Sequence, residues 1–482
     1  MSSSFTIHVL HSHPKAYCLH NVISTRRGAR VILHDGARIA IIGGGPAGSL
    51  FCIFASQLAR DMGKALDFTI YERKSFTSYG ASGCNMCAGV VSESLVQLLA
   101  LEGINLPPAV VQWGIESYFF HTEGGSVEIK SSRLRQRGIA TVFRGGGPAG
   151  SLAKGIQSFD DFLLQRAVEH GACVKRTFID RVCMEGDKPR LYSGGNMLQD
   201  CDLLVGAFGI KAGTGKMFED LSAGYKVPPT TKAVQSEIEL GSDWVERRFG
   251  HSIHIFLLRI PGIKFVSVIP KGDYITVSVL GKYPKSDHIT AFLDHSAMKK
   301  FLPSGFQIPP KFCHCFPKIS VGAAIKPFAR RAAFVGDASS TRLYKDGIGS
   351  AYITAKAAAH TALLHGIGEK DFREYYFPAC KSLNRDNLFG QHLFFVNKLI
   401  SVVSPISRGY FHIVQSEQKN LQKNTPYSDV LWDMFTGSRF YKDIFFRTLH
   451  PWFILYLLGA VVLYPIKKAF LFFANRWKGV VL

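Results

Sequence analysis

Two groupings of residues in this chain have the types and spacing that chemistry requires. The first is Gly43-Gly44-Gly45-Pro46-Ala47-Gly48, a G-x-G-x-x-G run with Glu72 placed 24 positions beyond its last glycine. In that pattern the first glycine permits a tight turn, the second lets backbone approach a pyrophosphate, and the third lets a helix pack closely on a strand. The acid suits ribose hydroxyls, and the helix start offers unpaired N–H groups and a positive dipole end to phosphate. The second grouping is of cysteines, Cys84 and Cys87 as C-x-x-C and Cys313 and Cys315 as C-x-C. A C-x-x-C pair favours disulfide exchange because its geometry lowers a thiol pKa, and four thiolates could hold zinc. The pairs lie far apart in sequence without other ligand-rich spacing, which argues against a metal site.

The elements that must position these groups are legible around them. Arg38-Ile39-Ala40-Ile41-Ile42 is a short β-branched run of the kind buried in parallel sheets. Helical apolar spacing follows through Leu50, Phe54, Leu58 and Met62, and a second strand from Asp67 to Tyr71 delivers Glu72 with Arg73 beside it. Strand before, helix after and acid at ribose distance raise the glycine run above a chance match. Gly145 to Leu152 repeats Gly43 to Leu50 letter for letter, yet no clean apolar strand precedes it and no strand-terminal acid follows. The spacing predicts a loop there, entering a helix whose N-cap is Ser158 with Asp161 at N3. Leu203 to Gly209 reads as a buried strand, residues 215–320 alternate polar and apolar as a sheet, and Ala332 to Phe334 begins a last buried strand that closes on Gly336-Asp337. Gly347-Ile348-Gly349 then opens an Ala-rich helix, a second helix start able to face the same ligand.

Composition sets the bounds. At 482 residues, with 47% hydrophobic and 19% charged, the chain is globular and long enough for two or three domains. Its formal charge of +21 (57 basic against 36 acidic) favours anionic partners, and an anionic membrane surface is expected over nucleic acid because no zinc-finger or RNP-type pattern is present. Ten scattered cysteines do not form a secreted disulfide framework, and residues 1–37 lack an apolar signal region, so a cytoplasmic location is expected. Pro451 to Ile466 is a 16-residue uncharged run followed by Lys467, Lys468, Arg476 and Lys478. It is shorter than the ~20 residues that span a bilayer, and its Trp and Tyr residues suit an interface, so peripheral attachment or anchoring at the cytoplasmic face is expected. The His residues, among them His251, His254, His288 and His314, read as structural.

Together these parts resemble the p-hydroxybenzoate hydroxylase-type FAD-dependent oxidoreductases, and within them the geranylgeranyl reductase branch, over roughly residues 37–385. Gly43 to Gly48 with Glu72 resemble that family's site for the ADP part of FAD, and Phe334 to Ala338 its second FAD motif. The resemblance implies that Asp337 binds the ribityl chain, that Gly347, Ile348 and Gly349 lie beside the flavin ring, and that Arg144, in an R…FD…L…A…GA pattern, contacts the flavin. Cys87-Ala88-Gly89 is similar to the family's C-G-G segment, which implies a role for Cys87 at the flavin face as proton donor or positioning group. Ile269-Pro270-Lys271-Gly272-Asp273 resembles F-P-K-G-D of the substrate domain. Ser267 and Ile269 stand where the family's Y-x-W-x-F-P has Trp and Phe, and Phe208 stands where G-A-D-G has its acid.

The resemblance implies an α/β fold with a discontinuous Rossmann-like FAD-binding domain, an inserted antiparallel-sheet substrate domain and a helical C-terminal tail. Its expected division is an arm at 1–36, FAD-binding parts at 37–111, 145–214 and 326–385, substrate-domain strands at 112–144 and 215–325, and a possible membrane-associated tail at 386–482. The implied activity is reduction of C=C bonds in an isoprenoid or other hydrophobic or lipid substrate by hydride transfer from flavin N5, with NAD(P)H or another reduced donor as electron source. Two alternatives stay open: a flavin monooxygenase of an aromatic or quinone-like substrate, and a flavin-bearing membrane protein for electron transfer or docking. Oligomeric state is open.

Overall fold

Strand β1 (Arg38–Ile42) lies at the centre of a six-stranded sheet, between β2 (Asp67–Tyr71) and Leu203–Gly206, both parallel to it. The sheet extends to Ala172–Lys175 on one side, and on the other to Ala332–Phe334 and the antiparallel edge strand Phe328–Ala329. Ile39 to Ile42 are buried, as a continuous β-branched run requires when both sheet faces are covered. The computed structural model describes residues 30–123, 125–130, 139–149, 155–210, 215, 217–218, 224–308, 313–419 and 425–462. The arm before residue 30 and Lys467, Lys468, Arg476 and Lys478 of the tail lie outside the described residues.

Helix α1 (Pro46–Asp61) opens on proline, whose missing N–H costs nothing at that position. It crosses to the helix Gly347–His360, where Phe54 meets the edge of the Tyr352 ring at 5.1 Å. The repeated glycine run takes a different form. Residues 145–149 make a loop, and the next helix, α2 (Phe159–Glu169), starts only after Ser158, whose hydroxyl accepts the Asp161 N–H at 3.2 Å. Gly150, Ser151 and Leu152 of the repeat fall outside the described residues.

A larger, mostly antiparallel sheet is built from Ser117–Thr122, Gly125–Lys130 and the strands between Thr230 and Ser320. Strand alternation gives it two characters. One face carries Val234, Val266, Val268, Val277 and Phe256 under the helices Ser242–Phe249 and Ser286–Leu293. The opposite face is apolar at Tyr118, Phe120, Ile253 and Ile255, where the C-terminal helices cover it. Further along, it turns polar at Gln235, Ser278 and Ser267, which lie abreast on three neighbouring strands. Phe208 stacks on Phe218 at 4.7 Å and is 8% exposed, so the residue at the missing acid's position fills the core.

The C-terminal helices grip the segment Thr341–Asp346. Asn387 accepts the Leu343 N–H at 2.8 Å and donates to the Thr341 carbonyl at 2.7 Å, while the Tyr441 hydroxyl donates to the Leu343 carbonyl at 2.6 Å. Arg342, 5% exposed, donates to the carbonyls of Gly437, at 2.7 Å, and of Arg439. Lys345 reaches the carbonyls of Asp433, at 3.1 Å, and Met434, and burial drives its pKa well below the usual lysine value. Among the described residues no single helix is long and apolar enough to cross a membrane; the helices Tyr441–Thr448 and Pro451–Val462, bent by 63°, have the length and composition only as a pair.

Two consequences can be measured. Asn387→Leu strands a buried N–H and a buried carbonyl, each worth roughly 1–3 kcal/mol, and a melting temperature lower by several degrees is expected. His121 and His254, 2% and 3% exposed, share a 3.0 Å hydrogen bond within an aromatic stack with Phe119 and Phe256. Burial pushes their pKa values down, to about 3 and about 4. Both rings are neutral in the fold and protonate on unfolding below about pH 6.5. Stability present in full above that pH is therefore lost as pH falls through it, and urea midpoints at pH 7 and pH 5 should differ less in the double variant His121→Phe/His254→Phe.

Candidate functional site: a dinucleotide cradle against a cysteine loop

Each glycine of the first run has its own reason. A methyl group on Gly43, which has φ +107°, would collide with the Ala207 carbonyl, and one on Gly48 with the Gly43 carbonyl. The chain's own packing thus demands both. Gly45 is different: it is extended, and a methyl group there would lie 3.6 Å from Asn85 Nδ2 and 4.0 Å from Asp160 Oδ2, ordinary contact distances. No protein atom excludes a side chain at that position, so the backbone there is open to close approach. The start of α1 carries no side-chain cap, and the Glu72 carboxylate stands beside it, accepting N–H groups from Gly44 at 2.9 Å and Lys74 at 2.8 Å. Arg73 is exposed, with its guanidinium over the Phe178 ring at 5.5 Å.

Residues distant in sequence converge on this cradle. Gly336, at φ +64°, sits where a methyl group would be 2.7 Å from the Ala47 side chain, which sets the end of the last parallel strand on the first turn of α1. Asp337 follows, its carboxyl pushed up by burial, with Arg144 and the Thr341 hydroxyl pulling the other way. Its Oδ1 is 3.6 Å from the point where a Gly347 side chain would begin. Gly349 answers to the Asp346 carboxylate, which lies where its side chain would project and accepts the Ser92 hydroxyl at 3.0 Å. Ile348 is buried beside them.

Arg144 and Asp160 form a two-point ion pair, with side chains 12% and 0% exposed; Nη2 donates to Oδ2 at 2.8 Å and Nε to Oδ1. Asn85 of the cysteine loop also donates to Asp160, and Cys87 lies within electrostatic reach of Arg144. The guanidinium pKa rises from its ordinary value although burial opposes this, because Asp160 and then Cys87 favour the charged form. Gly145 and Gly146 pack so tightly on the backbone of residues 77–84 that any side chain would collide, so the second glycine run serves as backing for the cysteine loop.

The far wall of the loop is Lys271, 1% exposed, with Nζ 3.5 Å from Glu237 Oε1 and 4.8 Å from the centre of the Phe143 ring. A side chain on Gly89 would come within 3.0 Å of that ammonium and collide with the Val142 carbonyl. Cys84 and Cys315 fall within electrostatic reach of each other, and burial raises both thiols, Cys315 to about 12. Such values oppose the thiolate that disulfide exchange needs. Among the described residues no three His, Cys, Asp or Glu side chains are placed to hold a metal. The structure therefore gathers Gly43 to Gly48, Glu72, Cys87, Arg144, Gly336, Asp337 and Gly347 to Gly349 at one junction, with Arg73 turned to Phe178. Sequence reasoning missed Asn85, Glu237 and the pairing of Asp160 with Arg144. The R…FD spacing was a signal for Asp160, whereas nothing in an alternating strand marks Glu237.

The sheet order, the split parallel unit and the inserted antiparallel sheet define the FAD-binding fold of p-hydroxybenzoate hydroxylase type, with a helical C-terminal region. Among solved structures, a geranylgeranyl bacteriochlorophyll reductase-like protein from Thermoplasma acidophilum matches at 15% identity over 86% of this chain and 98% of its own, with TM-score 0.58. A flavin-dependent brominase matches at 16% identity over 86% and 98%, with TM-score 0.56. A protein solved in complex with FAD, CtdE, matches at 14% identity over 73% and 94%, with TM-score 0.52. No protein-family model and no curated protein sequence matches the chain. Scores this close across differing reactions make the fold common property and leave the reaction to the site.

The glycines separate fold from ligand. Gly45→Ala is expected to leave the melting temperature of the flavin-free chain unchanged and to weaken FAD binding at least tenfold, read by quenching of flavin fluorescence. Gly48→Ala should lower both, because its clash is internal and overpacking costs about 1–3 kcal/mol.

Proposed function

We propose that this chain is an FAD-dependent oxidoreductase that reduces C=C bonds of an isoprenoid or other hydrophobic substrate. Bound at the junction, FAD would pass a pair of electrons from NAD(P)H or another reduced donor to the substrate. The residues present fit it: the uncapped start of α1 and the unclaimed space at Gly45 suit a pyrophosphate, Glu72 a ribose, and Asp337 with Gly347 a polyol chain. The observation that carries the reductive reading is the placing of Cys87 within electrostatic reach of a buried Arg144 whose charge also reaches Asp337. In this reading Cys87 Sγ would give a proton to a substrate carbon, and the Arg144 guanidinium would stabilise the thiolate left behind. Lys271, held by Glu237, braces the loop from behind.

On the substrate sheet Tyr118, Phe120, Ile253 and Ile255 are taken up by the C-terminal helices, and the polar strip of Gln235, Ser278 and Ser267 on the same face suits a substrate with a polar end. Gln235 Nε2 donates to the Ser278 hydroxyl at 3.1 Å, next to Ser267, at the position where the reductases carry an aromatic wall. That polar strip also favours a second reading, oxygenation of an aromatic or quinone-like compound.

Anaerobic reduction of the purified protein with NADPH or NADH, then admission of oxygen, decides between them. Slow reoxidation and a lipid extract gaining the mass of two hydrogens are expected, with Cys87→Ala retaining its flavin and losing at least tenfold in kcat. Rapid oxygen uptake that depends on an aromatic substrate would favour the second reading, and a protein that takes up no flavin would overturn both.

A further inference from the structure

We infer that the helix Pro451–Val462 is a docking surface for an anionic lipid bilayer, lying in its interface without crossing it. The helix has an inner and an outer face. Phe453, Leu457 and Ala460 pack into the cluster beneath the C-terminal helices, with Phe453 stacked on Tyr427 at 4.0 Å and its carbonyl accepting the Tyr427 hydroxyl. Those contacts fix its rotation, so the other face cannot turn inward. That face carries Trp452, Leu455, Tyr456 and Val462, spaced along one side of a helix, and they are 75%, 58%, 59% and 61% exposed. Ile454 and Leu458 flank them at 42% and 57% exposed, and no residue of the helix is charged. A water-facing helix normally shows the reverse pattern, and an apolar face of this kind marks an interaction surface.

Charge selects the occupant. The chain carries a formal +21, and from Pro451 to Leu482 it has Lys467, Lys468, Arg476 and Lys478 and no acid. Apolar side chains flanked by cations, with Trp and Tyr among them, match the headgroup boundary of an anionic leaflet. A second copy of a chain this basic would be repelled at the same surface. Length sets the depth: the uncharged run Pro451 to Ile466 is 16 residues, which at about 1.5 Å each in a helix would reach about 24 Å, short of the ~30 Å hydrocarbon core. The surface is tied to the site, since the helix packs on Tyr427 of the helix Pro426–Thr436, whose last turn supplies the carbonyls that hold Lys345 beside Asp346.

The test is flotation of the full-length protein, with its flavin, on phosphatidylcholine vesicles with and without phosphatidylglycerol. Flotation with the anionic vesicles is expected, at least tenfold weaker on neutral ones and reduced in high salt. The variant Leu455→Glu/Leu458→Glu changes only exposed positions; it should keep flavin content and melting temperature and lose flotation at least tenfold. Quenching of tryptophan by brominated lipid should diminish in Trp452→Phe. No flotation at low salt, or equal flotation of the double variant, would overturn the inference. So would a wild-type dimer in gel filtration that the double variant converts to monomer without any vesicle binding.

Discussion

The buried pair of Arg144 and Asp160 is the interaction on which the arrangement of this molecule depends. Neither charge can stand alone where it sits, because a buried ion that loses its partner costs about 3–5 kcal/mol. Asp160 belongs to the first turn of α2, and Arg144 to the segment that follows the strand Ile139–Val142, next to Phe143. Their attraction fixes α2 relative to the cysteine loop, with Asn85 as a third member. It also places a permanent positive charge within reach of both Cys87 and Asp337, two groups brought by different parts of the chain. The pair therefore serves as structure and as field in one.

Around it the molecule is assembled by close approach of small residues. Gly336 on Ala47, Gly48 on Gly43 and Gly89 against Lys271 are three places where a single added carbon has no room. The first and third join segments far apart in sequence, the second tightens the glycine turn itself, and each removes a degree of freedom from the cradle. Rigidity of this kind suits a site that must hold a large ligand along its whole length, because little ordering remains to be done when the ligand arrives.

The sequence made the cradle readable because its signals are local. A β-branched run, a glycine turn, an apolar helix and an acid at fixed distance all fall between Arg38 and Glu72, and the structure builds them as written. The strand that ends at Gly336-Asp337 was legible for the same reason. The repeated octapeptide shows the limit. Identical letters open a helix at Pro46 and form a loop at Pro148, since at the second place the neighbours of Gly145 and Gly146 are the backbone of residues 77–84. Lys271 with Glu237, and Asn387 with Thr341 and Leu343, are pairings between elements, which no pattern within either element specifies.

The grip of the C-terminal helices on Thr341–Asp346 has a consequence for biosynthesis. The segment beside Asp337 takes its shape from Asn387, Gly437, Arg439 and Tyr441, all made after it. A ribosome therefore releases β1 and α1 long before the opposite side of the cradle can close. The nascent chain must carry a half-built pocket until residue 441 has emerged, about 400 residues after β1.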